Sequence, residues 1–180
     1  EGGRQVLDCL LTGVQLVFEP GEGYTGGCPV QPAPRDGIDA LACQVQEDIA
    51  VMTLDEGKWK LVLLHLCFPN HWSAEAKIGK SFNTVHAPVA GIENTARSAP
   101  RLMQSIMEHG PFVRHAWGLA MDDELNRHPD SPQWGNPMER PGGVTRPDEI
   151  NMRVERQVLT PLPGTDAFVF LIRTYFLNVA

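Results

Sequence analysis

The most constraining feature of this chain is the stretch 59–91, WKLVLLHLCFPNHWSAEAKIGKSFNTVHAPVAG. Its opening run, Lys60–Phe68, is nearly continuously apolar and too short for a membrane span, so it predicts a core strand covered on both faces. Pro69 ends the run, and Ser73 to Ile78 follows as a short polar helix with Ser73 at its cap and Gly79 at its close. His86 then stands just before Ala87-Pro88, where the proline disfavours helix at Ala87 and predicts an extended or turned backbone. With Trp72 between strand and histidine, the segment predicts a pocket.

The strand has a partner upstream. Glu47–Leu54 and Lys60–Phe68 flank Asp55-Glu56-Gly57, a hairpin turn in which glycine accepts positive φ. Downstream, Leu102, Met103 and Ile106 share one face of a helix predicted over 99–109, capped by Ser98 and ended by Gly110-Pro111. Phe112–Met121 predicts a strand with Val113, His115, Trp117, Leu119 and Met121 on one side. Two further strands are predicted over 151–159 and 166–179. Runs of strands around a central helical segment predict an antiparallel α+β domain spanning 1–180.

Two regions lack periodicity. Residues 1–45 form an irregular N-terminal segment, whose runs Val6–Leu11 and Val14–Phe18 suit strand or short helix equally. Within it, 19–37 holds five glycines and four prolines. The second region, 122–150, is a long loop of the kind that serves as a lid or binding loop.

Charge and cysteine content narrow the function. A net charge of -7 with no Lys/Arg cluster argues against nucleic acid, whose phosphates need a positive surface. No apolar run approaches the ~20 residues that span a bilayer. Cys9, Cys28, Cys43 and Cys67 form no C-x-x-C pair, so zinc-ribbon, thioredoxin and thioether-haem motifs are absent. With no secretory leader visible, reduced thiols in a cytoplasmic protein are expected.

Four groups of residues carry candidate chemistry. His86 has the imidazole of a haem axial ligand, although a loop histidine bonded to backbone fits as well. His115, on the apolar face with Trp117, is expected inside or lining a cavity; a satisfied core histidine explains it too, and the same holds for His65. His71, His109 and His128 are expected in solvent. Arg153, Glu155 and Gln157 share one face of a strand, which is either a wet face or a polar constellation. Arg156 falls on the apolar side, where a guanidinium needs an anionic partner. Arg173 and Tyr175 share a side of the last strand and suit either a carboxylate or an edge salt bridge. No hydrolase or non-haem metal motif is present.

The ordered segments QEDIAVM (46–52), FPNHWSAEAKIGKSFNTVHAPVAG (68–91), RVERQVL (153–159) and IRTY (172–175) resemble the haem-dependent oxidative N-demethylases, the dimethylamine monooxygenase alpha-subunit type. The resemblance implies a PAS-like fold, an antiparallel sheet of about five strands with helices on one side. It implies haem b in the PAS cavity, with His86 in the histidine-proline motif as the iron ligand. Arg153, Arg156, Arg173 and Trp117 are then expected at the cofactor, with an arginine on a propionate, and Glu155, His115 and Tyr175 at the substrate. The implied reaction is demethylation of a small secondary alkylamine with O2, the electrons coming from NADPH through separate FMN and 2Fe-2S subunits; an oligomer is compatible with this. Where the family reads Arg-x-Asn-Trp, this chain has Arg114-His115-Ala116-Trp117, which leaves the substrate open. The alternatives are a PAS-like haem or small-ligand sensor without turnover, although no heptad follows the last strand, and a haem-free binding domain.

Overall fold

A computed structural model describes residues 36–89, 91–130 and 150–179. The two N-terminal apolar runs, Cys9, Cys28 and most of the 122–150 loop lie outside the described residues. The elements in order are α1 (Gly37–Ala42), β1 (Asp48–Asp55), β2 (Lys58–His65), α2 (Phe82–His86), α3 (Glu93–His109), β3 (Phe112–Ala120), β4 (Asn151–Pro161) and β5 (Ala167–Asn178). The strands form one antiparallel sheet in the order β2-β1-β5-β4-β3, giving an α+β fold.

The last strand is central. β5 lies between β1 and β4, pairing Val51 with Val169 and Glu155 with Thr174, so within the sheet it joins the β1–β2 pair to the β3–β4 pair. β2 is therefore an edge strand, which corrects the expectation that its apolar run is covered on both faces. Val62 is 47% exposed, and pairing ends at His65 rather than Phe68. The β1–β2 turn is as expected: Glu56 and Gly57 have φ of 47° and 75°, the two left-handed residues of a tight hairpin turn.

Each face of the sheet has its own core. On one side Ala50, Met52, Leu61, Leu159 and Phe168 pack with Met103 and Ile106 of α3, joined by Phe82 and Val85 of α2. On the other, Ile49, Val51, Ala167 and Val169 pack with Leu162 and with Ala42 of α1. α1 falls in the segment expected to be irregular. It forms because Asp36 caps it, Oδ1 accepting from the amides of Ile38 and Asp39 at 2.9 Å each.

Three local expectations change. Residues 73–79 make one hydrogen-bonded turn rather than a helix: the Ser73 hydroxyl accepts from Ala76 N, and the Ala74 carbonyl accepts from Lys77 N and Ile78 N. Helix α3 starts at Glu93, six residues before the predicted Ala99, so Ser98 lies inside it and not at its cap. Pro100 lies inside it on the exposed side, while Ala99, Met103 and Ile106 face the core. His86 ends a helix instead of standing in an extended connector; Ala87 keeps helical dihedrals (φ -50°, ψ -34°) despite the following proline.

Residues 122–130 of the long loop are anchored. Asn70 and Arg127 form a parallel bridge, with Arg127 N donating to Pro69 O at 2.9 Å. The buried Arg127 guanidinium pairs with Asp122 Oδ1 at 2.9 Å.

Candidate functional site

A cavity of about 290 Å³ lies between the sheet and the segment that carries α2 and α3. Its floor is apolar, from Ala50, Met52, Phe168 and Phe170 of the central strands. Its roof comprises Val85 and His86 of α2, Leu102 and Met103 of α3, and Trp72 and Lys77 of the intervening turn. Arg114, Glu155 and Gln157 bring polarity to one wall. This volume is at the lower end of small-ligand sites, with the mostly apolar lining and few convergent polar groups typical of them.

His86 is held in one orientation by the geometry of α2. The Ser81 hydroxyl caps the helix, accepting from Thr84 N, and the short run brings His86 one turn past Phe82. His86 Nδ1 lies 2.8 Å from the Phe82 carbonyl, which only an Nδ1–H can satisfy, so the tautomer is fixed and Nε2 carries the lone pair. Among the described residues no hydrogen bond engages Nε2. Burial lowers the His86 pKa, with Lys77 and Arg114 adding to the effect against the opposing Phe82 bond. The ring is thus neutral at pH 7 and basic at one defined nitrogen.

The polar wall is a chain of hydrogen bonds. Arg114 Nε donates to Gln157 Oε1 at 2.7 Å, and Gln157 Nε2 donates to Glu155 Oε2 at 3.0 Å. Glu155 Oε1 is 3.6 Å from Arg153 Nε, a buried atom with no hydrogen bond among the described residues. Alternation along β4 turns this polar row inward. Arg153 and Gln157 are buried while Met152 and Val154 are only half-buried, so the row is not a wet face. Lys77 stacks on Trp72, its Nζ 4.4 Å from the ring centroid, and burial lowers its pKa.

The residues singled out from sequence divide between the two faces. His86 and Glu155 line the cavity. Arg153 does not line it: 3% exposed, it donates to the carbonyls of Phe68 (2.7 Å) and Leu125 (3.0 Å) and to the Thr174 hydroxyl, tying the long loop to the end of the hairpin. His115, Trp117, Arg156, Arg173 and Tyr175 occupy the opposite face, where the register places His115 beside Arg156 and Arg156 beside Arg173. His115 is exposed and Trp117 is 71% exposed, so neither is inside the domain. Arg173 stacks on Tyr175 at 5.2 Å, and both line a second cavity of about 460 Å³ with Cys43 and Cys67. His65 is no core histidine either; its Nε2 meets Asp39 Oδ1 at 3.1 Å.

Nothing in the sequence singles out Lys77, since a lysine in a short polar turn resembles any solvated one. Arg114 was visible only as part of the Arg-x-Asn-Trp variant; its alternation opposite His115 was the available signal.

The donor set fits a haem. One imidazole, with no hydrogen bond at Nε2 among the described residues, lines a mostly apolar cavity, and two cations that could meet carboxylate groups, Lys77 and Arg114, line it too. Among known families, the model described as haem-dependent oxidative N-demethylase, alpha subunit-like, matches residues 2–180. That description carries haem dependence and a place beside other subunits. A match over nearly the whole length, with the imidazole and cavity such a cofactor requires, establishes that the chain belongs to the haem-dependent oxidative N-demethylase alpha subunit-like family.

Proposed function

We propose that the protein is a haem-binding monooxygenase subunit that demethylates a small secondary alkylamine of the dimethylamine kind in the 290 Å³ cavity. The observation that carries this reading is His86, which lines a mostly apolar pocket together with Glu155 and whose Nδ1 is bound to Phe82 O, with no hydrogen bond at Nε2 among the described residues. The α+β sheet, with α2 and α3 on one face, accords with the PAS-like architecture the resemblance implies.

In this scheme haem b binds through His86 and supplies the oxygen chemistry. The balanced reaction takes dimethylamine, O2, two electrons and two protons to methylamine, formaldehyde and water. The Phe82 carbonyl keeps the imidazole in one tautomer and orientation. Lys77 and Arg114, which line the cavity as Arg153 does not, would be the residues to neutralise the propionates. Glu155 accepts the N–H of the amine and turns its methyl group toward the cavity interior. Gln157 holds that carboxylate in place through its 3.0 Å bond. The Phe168 and Phe170 rings exclude water, which strengthens each polar contact inside. Electrons originate from NADPH and arrive through separate FMN and 2Fe-2S subunits, in keeping with an alpha subunit. No helix among the described residues is long and apolar enough to cross a membrane. A cytoplasmic setting accords with the free thiols of Cys43 and Cys67.

Product analysis tests the proposal. Haem-loaded protein given dimethylamine, O2 and a chemical reductant is expected to form formaldehyde and methylamine in equal amounts. Glu155→Gln is expected to raise KM about tenfold or more, the cost of one charged hydrogen bond. Tight haem binding with no formaldehyde would instead indicate a haem module without turnover.

A further inference from the structure

On the sheet face away from the haem cavity, α1 lies close to the end of the edge strand β2. Asp39 and Cys43 are one helical turn apart and so project from the same side of α1. His65 is the last residue of β2 and pairs with Ile49, a member of the core on that face. Three ligand-type atoms meet there. Asp39 Oδ1 is 3.1 Å from His65 Nε2, and Cys43 Sγ is 3.9 Å from each of them. We propose that Asp39, Cys43 and His65 form a zinc site that clips α1 to the end of β2.

The spacing supports this directly. Tetrahedral zinc, with bonds of about 2.3 Å to sulfur and about 2.0–2.2 Å to nitrogen and oxygen, sets its ligands about 3.4–3.6 Å apart. Each separation here is within about 0.3 Å of that, so closure around an ion needs only small side-chain shifts. The set mixes thiolate, imidazole and carboxylate, which zinc accepts and which calcium or magnesium does not prefer. Three protein ligands leave a fourth position for water. Cys43 also lines the 460 Å³ cavity, so water reaches the thiol.

Two rival readings of the cluster are weaker. A bare His65–Asp39 ion pair does not account for a thiol equidistant from both partners. A thiol nucleophile would be Cys67, whose Sγ is 3.8 Å from His65 Nδ1, on the other ring nitrogen. A thiol–imidazole pair at Nδ1 leaves Asp39 and Cys43, which converge on Nε2, without a role. Cys67 thus lies outside the ligand set.

Zinc itself is the probe. The full chain, stripped with chelator and dialysed against Zn2+, is expected to retain one zinc. Absorption at the zinc edge should give a single sulfur at about 2.3 Å with nitrogen and oxygen neighbours. Zinc should raise the melting temperature of the wild type and not that of His65→Ala. Cys43→Ser should lose the sulfur and weaken binding about 100-fold, whereas Cys67→Ser keeps the sulfur. No retained zinc, two sulfurs or none in the wild type, or a sulfur lost in Cys67→Ser but kept in Cys43→Ser would each overturn the assignment. The wild-type spectrum alone decides the case if a variant fails to fold.

Discussion

At the scale of single residues, burial sets the chemistry of His86 and its neighbours. Burial pushes the His86 pKa below its ordinary value of 6.5. Between that lowered value and 6.5 the folded chain binds fewer protons than the unfolded one, so His86 makes stability fall as pH drops through this window. His86→Gln is expected to remove that part of the slope, seen by comparing urea unfolding at about pH 7.5 and about pH 5.5. Asp48 is a second buried anchor. Its Oδ1 accepts from Cys67 N at 2.6 Å and Phe68 N at 3.1 Å where the chain leaves β2, and burial raises its pKa against those bonds. Asp48→Ala strips two amides of their acceptor and is expected to cost about 3 kcal/mol in chemical denaturation. Neither environment was legible in the sequence. Asp48 reads there as an ordinary strand-end carboxylate, and Phe82, four residues before His86, as an apolar residue and not as the carbonyl that accepts from the imidazole and orients it.

Elements were legible where their cause is local. The β1–β2 turn follows from Gly57, and the face of α3 follows from the spacing of Leu102, Met103 and Ile106. The start of α3 was hidden because Ser98 with Pro100 two residues later imitates a helix beginning. The actual cap position, Ile92, makes no side-chain cap bond. The edge position of β2 was hidden for another reason: pairing of β5 with β1 joins residues more than a hundred positions apart, and no local pattern records it. At the junction of α3 and β3, Gly110 is required by close approach. A Cβ there would sit 2.6 Å from the Ile106 carbonyl oxygen and 2.7 Å from Pro161 Cδ. Gly110→Ala is expected to cost about 1–3 kcal/mol through this overpacking, read as a lowered denaturation midpoint.

Across the whole molecule, the sheet divides two kinds of surface, and period-two alternation alone does not tell which is inward. Val113, His115, Trp117 and Leu119 read as a core face, yet Trp117 and Leu119 are exposed and the alternate row, with Arg114, turns toward the cavity. The polar row of β4 is inward for the same reason, so polarity there does not mark the solvent side. Trp117→Ala and Tyr175→Phe, on the opposite face, are each expected to leave haem affinity unchanged within twofold. The central claim is that one imidazole, His86 Nε2, holds the cofactor. Titration of the full chain with haem, followed by Soret absorbance, tests it most directly. A sharp, saturable band in the wild type that shifts or disappears in His86→Ala is the predicted result; an identical band and affinity in the two proteins would contradict it.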